Sequence, residues 1–385
     1  MKIEINKLTN VLILYYPVIY ILFAFFSDNL ARKISIGMII ILTVKIIHNK
    51  NKKQICFLFI MFILTVYNII IYGLNYVVHQ DFYGYILFLL ICITYARKID
   101  FLELDALCTY KNIIQITSLF IFVIMISIFW GGGLQKSIEW GTSMPLLYGP
   151  YELPHSLAYQ LIVMYMYSSV GAHKYKKKVF FAYMALFSGM LIWTGVRSAF
   201  LALVILLFFE YSSIRKVNIK LAVVMGGVVL MIYLYAFTNF FQNNPIIQKT
   251  VQALSQASGI SNGRTDFNSY LSNIYLYKMN FFEKIFGIGI DKLRSYMYLR
   301  YATALHAHND IFNTLLGMGI IGLYIYIKAL FQLCKINGKW GRVFISIAIL
   351  AFTNGVFMYT AFTPCIPIFI EYFNELDKVK ELRTK

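Results

Sequence analysis

The chain has 385 residues, of which 59% are hydrophobic and only 14% are charged. A soluble domain usually has about 25% charged residues, so this composition excludes an ordinary soluble globule. The formal net charge of +18 would suit nucleic acid in a soluble protein, but no basic groove interleaved with aromatic residues is present, and no nucleic-acid partner is predicted. Long continuous apolar runs predict membrane helices rather than the alternating strands of a β-barrel.

The apolar segments predict an all-α integral membrane protein with about 12 transmembrane helices in a single polytopic domain, residues 1–385. In chain order they lie at 8–26, 34–47, 55–74, 82–96, 113–130, 156–171, 179–194, 198–211, 221–237, 311–333, 343–360 and 363–374. Several are shorter than the roughly 20 residues that cross a bilayer. The pairs within 179–211 and 343–374 can therefore form tight helical hairpins or partly re-entrant helices instead.

Alternate loops carry most of the lysine and arginine, in clusters around 50–53, 97–98, 174–178, 215–220, 335–342 and 378–385. The positive-inside rule predicts that these loops face the cytoplasm. An even number of spans then puts both termini in the cytoplasm as well. The two long segments 131–155 and 238–310 are predicted to lie outside the cytoplasm.

The large extracytoplasmic loop, 238–310, is long enough to have structure of its own. Apolar residues at near-helical spacing predict an amphipathic helix over 267–286, which Gly287 and Gly289 end. A second helix is predicted from the spacing of Leu293, Met297 and Tyr301. Basic residues outnumber acidic ones in this loop, which fits either a headgroup-facing surface or a platform for an anionic substrate.

Arg197 lies between two apolar runs, in the sequence Trp193-Thr-Gly-Val-Arg-Ser198. A charge at such a break needs water, a partner or a ligand, because burying it unpaired is costly. One interpretation is an interfacial arginine whose charged end reaches the membrane surface. The other is an arginine at the head of a helix pair that binds phosphate bidentately, which suits a leaving diphosphate.

Arg264 lies in the turn-forming stretch Ser261-Asn-Gly-Arg-Thr-Asp266. Thr265 or Asp266 is predicted to cap the helix that follows. Taken alone, the pattern fits an exposed turn arginine.

His306 and His308 come just before the predicted span at 311–333. Histidine is the side chain best able to move a proton near neutral pH, so both are candidates for acid–base work. Two interfacial histidines without chemistry are an equal alternative. A His-x-His pair can also bind metal, but no further close His or Cys ligand follows, and no metal is predicted.

Glu152 and His155 precede the span at 156–171. They can assist acid–base chemistry, or they can belong to a proline-fixed turn that Ser156 caps. No Walker A, GxGxxG, GxSxG or HExxH motif occurs in its required context, so no cofactor is predicted and any reaction must use an already activated substrate.

The order of these elements resembles that of the O-antigen polymerases and O-antigen ligases over residues 145–325. The matching elements are Thr194-Gly-Val-Arg197, Gly263-Arg264, Gly287-Ile-Gly289, His308-Asn309 and Gly317-Met-Gly319-Ile-Ile-Gly322. The stretch from Gly149 to His155 is similar to a Gly…Pro-Asn element of the family, with His155 where asparagine is common. Where the family commonly has Trp soon after the loop arginine, this sequence offers Phe267 or Tyr270.

The resemblance implies a GT-C-like, metal-independent glycosyltransferase in the bacterial cytoplasmic (inner) membrane. Its donor would be an undecaprenyl-diphosphate-linked oligosaccharide, and its partners would be membrane lipids, a flippase and a chain-length regulator. The resemblance implies that Arg197 and Arg264 hold the diphosphate and that His308 orients or deprotonates the acceptor hydroxyl. The other candidate substrate-binding residues are His306, Asn309, Arg294, Arg300, Glu152 and His155.

The leading prediction is a polymerase of capsular or O-antigen repeat units. A ligase of the same family, which would transfer the glycan to a lipid A core sugar or another surface acceptor, is the first alternative. A transporter (flippase) of the lipid-linked unit is the second. Transporters usually place polar groups near the membrane midplane on broken helices, whereas the candidate residues here cluster at the predicted outer face.

Overall fold

The computed structural model describes residues 2–72, 80–130, 132–135, 145–214, 264–301, 309–335, 340–353, 355–357 and 359–384. The predicted span at 221–237, the first part of the large loop, and both His306 and His308 lie outside the described residues.

The described residues are almost entirely helical, which confirms the all-α prediction. The helices are α1 (Lys2–Phe26), α2 (Asp28–His48), α3 (Lys52–Tyr72), α4 (Gln80–Thr94), α5 (Lys98–Leu107), α6 (Tyr110–Phe129), α7 (Pro154–Tyr175), α8 (Lys178–Trp193), α9 (Arg197–Ile214), α10 (Arg264–Asn273), α11 (Phe281–Phe286), α12 (Ile290–Tyr301), α13 (Asp310–Lys335), α14 (Trp340–Thr353) and α15 (Pro367–Thr384). A π-helical turn (Ile274–Lys278) follows α10, and a 3-10 turn (Thr363–Cys365) precedes α15. Strands β1 (Leu134–Gln135) and β2 (Leu146–Leu147) form one short antiparallel pair.

Among the described residues, 4 helices are long and apolar enough to cross a membrane. They are Ile5–Phe26, Lys52–Ile70, Tyr110–Phe129 and Asp310–Lys335. Shorter apolar helices occupy Phe82–Thr94, Lys178–Trp193 and Gly341–Thr353. The total of about 12 spans stays a prediction from the apolar segments.

Helix α5 lies outside the predicted spans, because its acidic residues interrupt the apolar pattern. Asp100 of this helix is nevertheless buried and pairs with the buried Lys45 at 2.8 Å. Near the C-terminus, α14 ends at Thr353, short of the predicted end at 360, and α15 runs well past the predicted end at 374. Gly355, with φ 91°, follows the end of α14.

Two compact units are described separately. The first comprises Met1–Tyr16, Asn29–Leu107 and Gly263–Pro367. Its centre is α4, which is buried along most of its length and packs against α13. The Tyr85 hydroxyl donates to the carbonyl of Gly322 (2.8 Å), and Phe88 stacks on Tyr326 with ring centroids 4.6 Å apart.

The second unit comprises Pro17–Asp28, Cys108–Asn262 and Ile368–Lys385. Its centre is α7, which packs against α6, α8 and α9 and is buried all round from Leu157 to Ala172. Helices buried on every side are typical of the middle of a large or membrane-embedded bundle.

Candidate functional site

The described part of the large loop has a hydrophobic core of its own. Helices α10, α11 and α12 and the turns between them, residues 264–301, pack against the first turns of α13, and we call these residues the loop layer. The buried residues of this core are Leu271, Ile274, Met279, Ile288, Leu293, Met297 and Leu316. The burial of Leu293 and Met297 in α12 confirms the predicted second helix.

The prediction of one continuous helix over 267–286 is wrong at residues 279–280. Met279 is extended, and Asn280 begins α11 with a capping box. The Asn280 side chain accepts the N–H of Glu283 (2.9 Å), and the Glu283 carboxylate accepts the N–H of Asn280 (3.0 Å). This reciprocal pair satisfies backbone donors that a helix start otherwise leaves open, so it favours a new helix over continuation.

Glu283 also ties α11 to α12. Its carboxylate lies 2.6 Å from the Lys292 ammonium. Partial burial opposes ionisation of Glu283, but hydrogen bonds from Lys292 and from the Asn280 N–H outweigh it and lower the pKa of Glu283. The same hydrogen bond raises the pKa of Lys292. Both groups therefore stay charged around neutral pH.

Two glycine elements that are distant in the sequence meet backbone to backbone. The N–H of Ile288 donates to the carbonyl of Leu316 (2.8 Å), and the N–H of Gly289 donates to the carbonyl of Gly317 (3.1 Å). A Cβ on Gly287 would lie 2.3 Å from the Gly317 oxygen, and one on Gly319 would lie 2.1 Å from the Ile285 oxygen. Only glycine lets the two backbones approach this closely. We call this contact the glycine dock.

Gly319 also breaks α13. Its φ of 69° and ψ of −172° are not helical, so α13 consists of two helical parts joined at a kink. The glycine dock contacts the part before the kink, and the Gly322 carbonyl that accepts the Tyr85 hydroxyl lies after it. The broken helix thus connects the loop layer to the centre of the first unit.

The chain is held firmly where it enters α13. Asn309 is buried, and its side-chain oxygen accepts the N–H groups of Ile311 (2.9 Å) and Phe312 (3.4 Å) as a helix cap. Asp310 is fully buried, and its carboxylate accepts the N–H of Val356 (2.7 Å) and the Tyr326 hydroxyl (3.1 Å). Sequence reasoning missed Asp310, although an acidic residue at the head of a predicted apolar helix is a recognisable capping signal.

Cations of the loop layer gather around two tyrosines. The Lys278 ammonium lies 5.6 Å from the ring centre of Tyr270 and 5.5 Å from that of Tyr296, and the Arg300 guanidinium lies 5.6 Å from Tyr270. The Tyr270 hydroxyl donates to the Tyr296 carbonyl (3.2 Å). These cation–π contacts keep positive charge on the surface of the layer. Arg294 of α12 is partly buried.

The described part of α10 begins at Arg264. Thr265 or Asp266 was predicted to cap the helix that follows, but both residues lie within α10.

Arg197 lies at the start of a helix in the second unit. Helix α8 ends at Trp193, Gly195 turns the chain with φ 67°, and α9 begins at Arg197. The Thr194 hydroxyl donates to the carbonyl of Leu191 (2.6 Å) and accepts the N–H of Val196 (3.3 Å). The predicted break between two helices is confirmed, and the Arg197 side chain is partly buried.

Glu152 is exposed and His155 is partly buried at the start of α7. Pro154 occupies the first turn of α7, and Leu153 is in the capping position without a side-chain hydrogen bond. The predicted cap by Ser156 is therefore wrong, because the helix starts two residues earlier on the proline.

The candidate residues divide between the two units. Arg264, Arg294, Arg300 and Asn309 belong to the first unit, and Arg197, Glu152 and His155 belong to the second. Within the first unit, the structure brings Arg300 and Lys278 onto one tyrosine, whereas Asn309 takes part in a helix cap.

Residues 182–327 match the model of a protein family described as O-Antigen ligase. The matched segment contains Arg197, Arg264, the glycine dock and the His308-Asn309 element. This match confirms the resemblance to the O-antigen ligase and polymerase family and supports a membrane function of ligase or polymerase type. No curated protein and no solved structure gives a significant match.

Proposed function

We propose that this protein is a membrane glycosyltransferase that polymerises undecaprenyl-diphosphate-linked oligosaccharide repeat units into a capsular or O-antigen polysaccharide. The observation that carries the proposal is the family match over residues 182–327, which covers the ordered arginine, glycine and His-Asn elements. The apolar helices support a location in the bacterial cytoplasmic membrane. The loop layer is proposed to lie on the outer side, where the lipid-linked donor is presented.

In the proposed step, the acceptor hydroxyl oxygen attacks the anomeric carbon of the donor sugar. The bond from that carbon to the diphosphate oxygen breaks, and undecaprenyl diphosphate leaves with the bonding electrons. The hydroxyl proton passes to His308. Arg197 and Arg264 hold the departing diphosphate, because guanidinium groups stay charged and bind phosphate oxygens bidentately.

The start of α9 supports the role of Arg197, which is the first residue of that helix. A helix N-terminus offers free backbone N–H groups and the positive end of the helix dipole, both of which attract phosphate. Arg197 therefore adds a charged fork to a backbone site that already favours an anion.

Asn309 has a more limited proposed role. Its side-chain oxygen already accepts hydrogen bonds from the first N–H groups of α13, so only its amide nitrogen would be available to contact the substrate. We propose that Asn309 chiefly fixes the chain next to His308, and that Arg294 and Arg300 help to hold anionic parts of the substrate.

The test is a strain that lacks this protein. Its undecaprenyl-linked glycans are extracted and sized by mass spectrometry, and its surface polysaccharide is sized in parallel. Single repeat units on lipid with long polymer absent are expected for a polymerase. Complementation with Arg197→Ala, Arg264→Ala or His308→Ala at normal protein levels is expected to leave the defect, whereas Lys33→Ala, an exposed charge on α2, is expected to restore polymer.

Other profiles select the alternatives. Long polymer that stays on its lipid carrier and is missing from its final acceptor would identify a ligase. Lipid-linked units trapped on the cytoplasmic side would identify a transporter. An unchanged glycan profile, or full function in all three variants, would contradict the proposal.

A further inference from the structure

A second charged site lies in the second unit, at the opposite end of α9 from Arg197. Glu210 and Arg197 are separated by nearly the full length of that helix, about 20 Å at its usual rise per residue. Next to Glu210 a cavity of about 470 Å³ opens between the end of α7 and α15. Three lysines line it: Lys174, Lys176 and Lys378.

One wall of the cavity is fixed by a buried carboxylate. Glu210 accepts hydrogen bonds from Tyr165 (2.5 Å), Ser169 (2.6 Å) and His173 (2.7 Å), and Tyr372 of α15 lies 3.5 Å away. Tyr372 also donates to the carbonyl of Leu206 at 3.0 Å. His173 lines the cavity as well. Glu210 of α9 therefore links three residues of α7 to Tyr372 of α15, next to the lysines that line the cavity.

The charge of the lining favours an anion. Among the described residues that line the cavity, Glu375 is the acidic one, and it is buried and paired with Lys378. Lys174 and Lys176 lie at the C-terminal end of α7, and Lys176 adopts a left-handed conformation there with φ 54°. Lysine ammonium groups are common phosphate ligands, acting as compact point charges.

The remaining residues of the lining are apolar. Val379 is half-buried, and Leu382 is 70% exposed. A ligand that covers both the lysines and the apolar residues of the cavity must combine a phosphate with hydrocarbon. The lysine clusters at 174–178 and 378–385 are also those that the positive-inside rule predicts to be cytoplasmic, where anionic lipids are attracted to basic residues next to the membrane.

We infer that this cavity binds the headgroup phosphate of an anionic phospholipid from the cytoplasmic leaflet, with its acyl chains along Val379 and Leu382. This site is separate from the residues proposed to act on the glycan. Its occupant would join α15 to the end of α7.

The test uses the full-length protein in nanodiscs of phosphatidylcholine with a minor fraction of phosphatidylglycerol. Lipids retained after release from the disc are counted by native mass spectrometry. The wild-type protein is expected to retain phosphatidylglycerol selectively. In Lys174→Gln/Lys176→Gln, which leaves the Lys378–Glu375 pair intact, affinity is expected to fall about 100-fold, from about tenfold for each charged hydrogen bond to the phosphate that is lost.

The matched control is Lys52→Gln/Lys53→Gln, a pair of lysines at the start of α3 on the same predicted face and outside the cavity. It is expected to change retention less than about twofold, as for exposed charges in general. Leu382→Glu provides a second variant at an exposed position, and it is expected to abolish selectivity by adding a negative charge beside the phosphate. Equal losses in the control, or no preference over phosphatidylcholine, would overturn the inference.

Inorganic phosphate distinguishes a free ion from a lipid. Phosphate is titrated calorimetrically into the protein in discs of phosphatidylcholine alone. Weak or absent binding, together with lysine-dependent retention of phosphatidylglycerol, supports the lipid site. Saturable phosphate binding that Lys174→Gln/Lys176→Gln removes, without retention of phosphatidylglycerol, would assign the cavity to a free phosphate and refute the lipid inference.

Discussion

Arg197 occupies the first position of α9. A basic residue at this position faces the positive end of the helix dipole, at a cost of about 0.3–1 kcal/mol. A bound anion would offset that cost, since it interacts favourably with the side chain and with the helix terminus together. The position of Arg197 therefore agrees with the anionic substrate proposed above.

Replacing Arg197 by lysine tests whether geometry matters as well as charge. Arg197→Lys keeps the positive charge but loses the planar fork, so we expect polymer formation to fall about 10-fold. Arg197→Ala removes the charge proposed to stabilise the leaving diphosphate, and we expect a fall of about 100-fold or more. The rate is measured as repeat units joined per unit time in isolated membranes supplied with the lipid-linked unit.

The control for this series is Lys33→Ala on α2, which should leave the rate unchanged. Full activity of Arg197→Lys would show that a point charge is sufficient. Full activity of Arg197→Ala would remove this residue from the mechanism.

At the scale of helices, the glycine dock decides how the loop layer is attached to α13. The contact is made by backbone hydrogen bonds, and the left-handed φ angles of Gly287 (90°) and Gly319 (69°) are open to glycine at little cost. A side chain at either position would meet a carbonyl group that cannot move without moving its helix. The two glycine elements of the sequence are thus two sides of one contact.

Alanine substitutions test the glycine dock. In Gly287→Ala and Gly319→Ala we expect a loss of stability of about 2 kcal/mol or more, because the new Cβ clashes with backbone and the φ angle disfavours any side chain. Thermal unfolding of the purified protein is followed by tyrosine and tryptophan fluorescence. Hydrogen exchange is expected to rise in α10–α12 before it rises in α7.

Two other glycines provide matched controls. A Cβ on Gly37 in α2 or on Gly189 in α8 would meet nothing within 4 Å. Gly37→Ala and Gly189→Ala are therefore expected to be neutral or to stabilise by about 0.5–1 kcal/mol. If all four substitutions changed the stability equally, close backbone contact would not explain the glycines at positions 287 and 319.

Local sequence patterns predicted most of the described helices, and their failures have physical causes. Apolar periodicity predicted that residues 267–286 form one helix, but the capping box of Asn280 and Glu283 overrides it. Helix α5 was not predicted because its acidic residues interrupt the apolar pattern, and one of them, Asp100, is buried only by virtue of its pairing with the distant Lys45. In both places a specific polar contact determines the structure, and hydropathy alone does not report it.

At the scale of the whole molecule, the sequence established the order of the candidate residues along the chain but not their positions in the folded protein. It supplied the arginine break at Arg197 and both glycine elements, and the structure confirms the local geometry of each. The glycine dock joins residues about 30 positions apart, so it follows from tertiary packing rather than from any local pattern. The cavity beside Glu210 likewise depends on tertiary packing, because residues of α7 and of α15 both reach Glu210 of α9.

The sidedness of the molecule gives the last prediction, since the proposed reaction requires the loop layer to face outward. Cys56 is the exposed native cysteine, and the other four are buried, so Cys56→Ser provides a background with low labelling. In that background Leu299→Cys introduces a thiol on α12 at a position that is 80% exposed, and Lys53→Cys introduces one at the start of α3. Because lysine clusters are retained in the cytoplasm, a membrane-impermeant maleimide should label Leu299→Cys in intact cells and Lys53→Cys only after permeabilisation. The reverse pattern would place the loop layer in the cytoplasm, where the outer-leaflet donor is absent, and the proposed polymerisation would have to be abandoned.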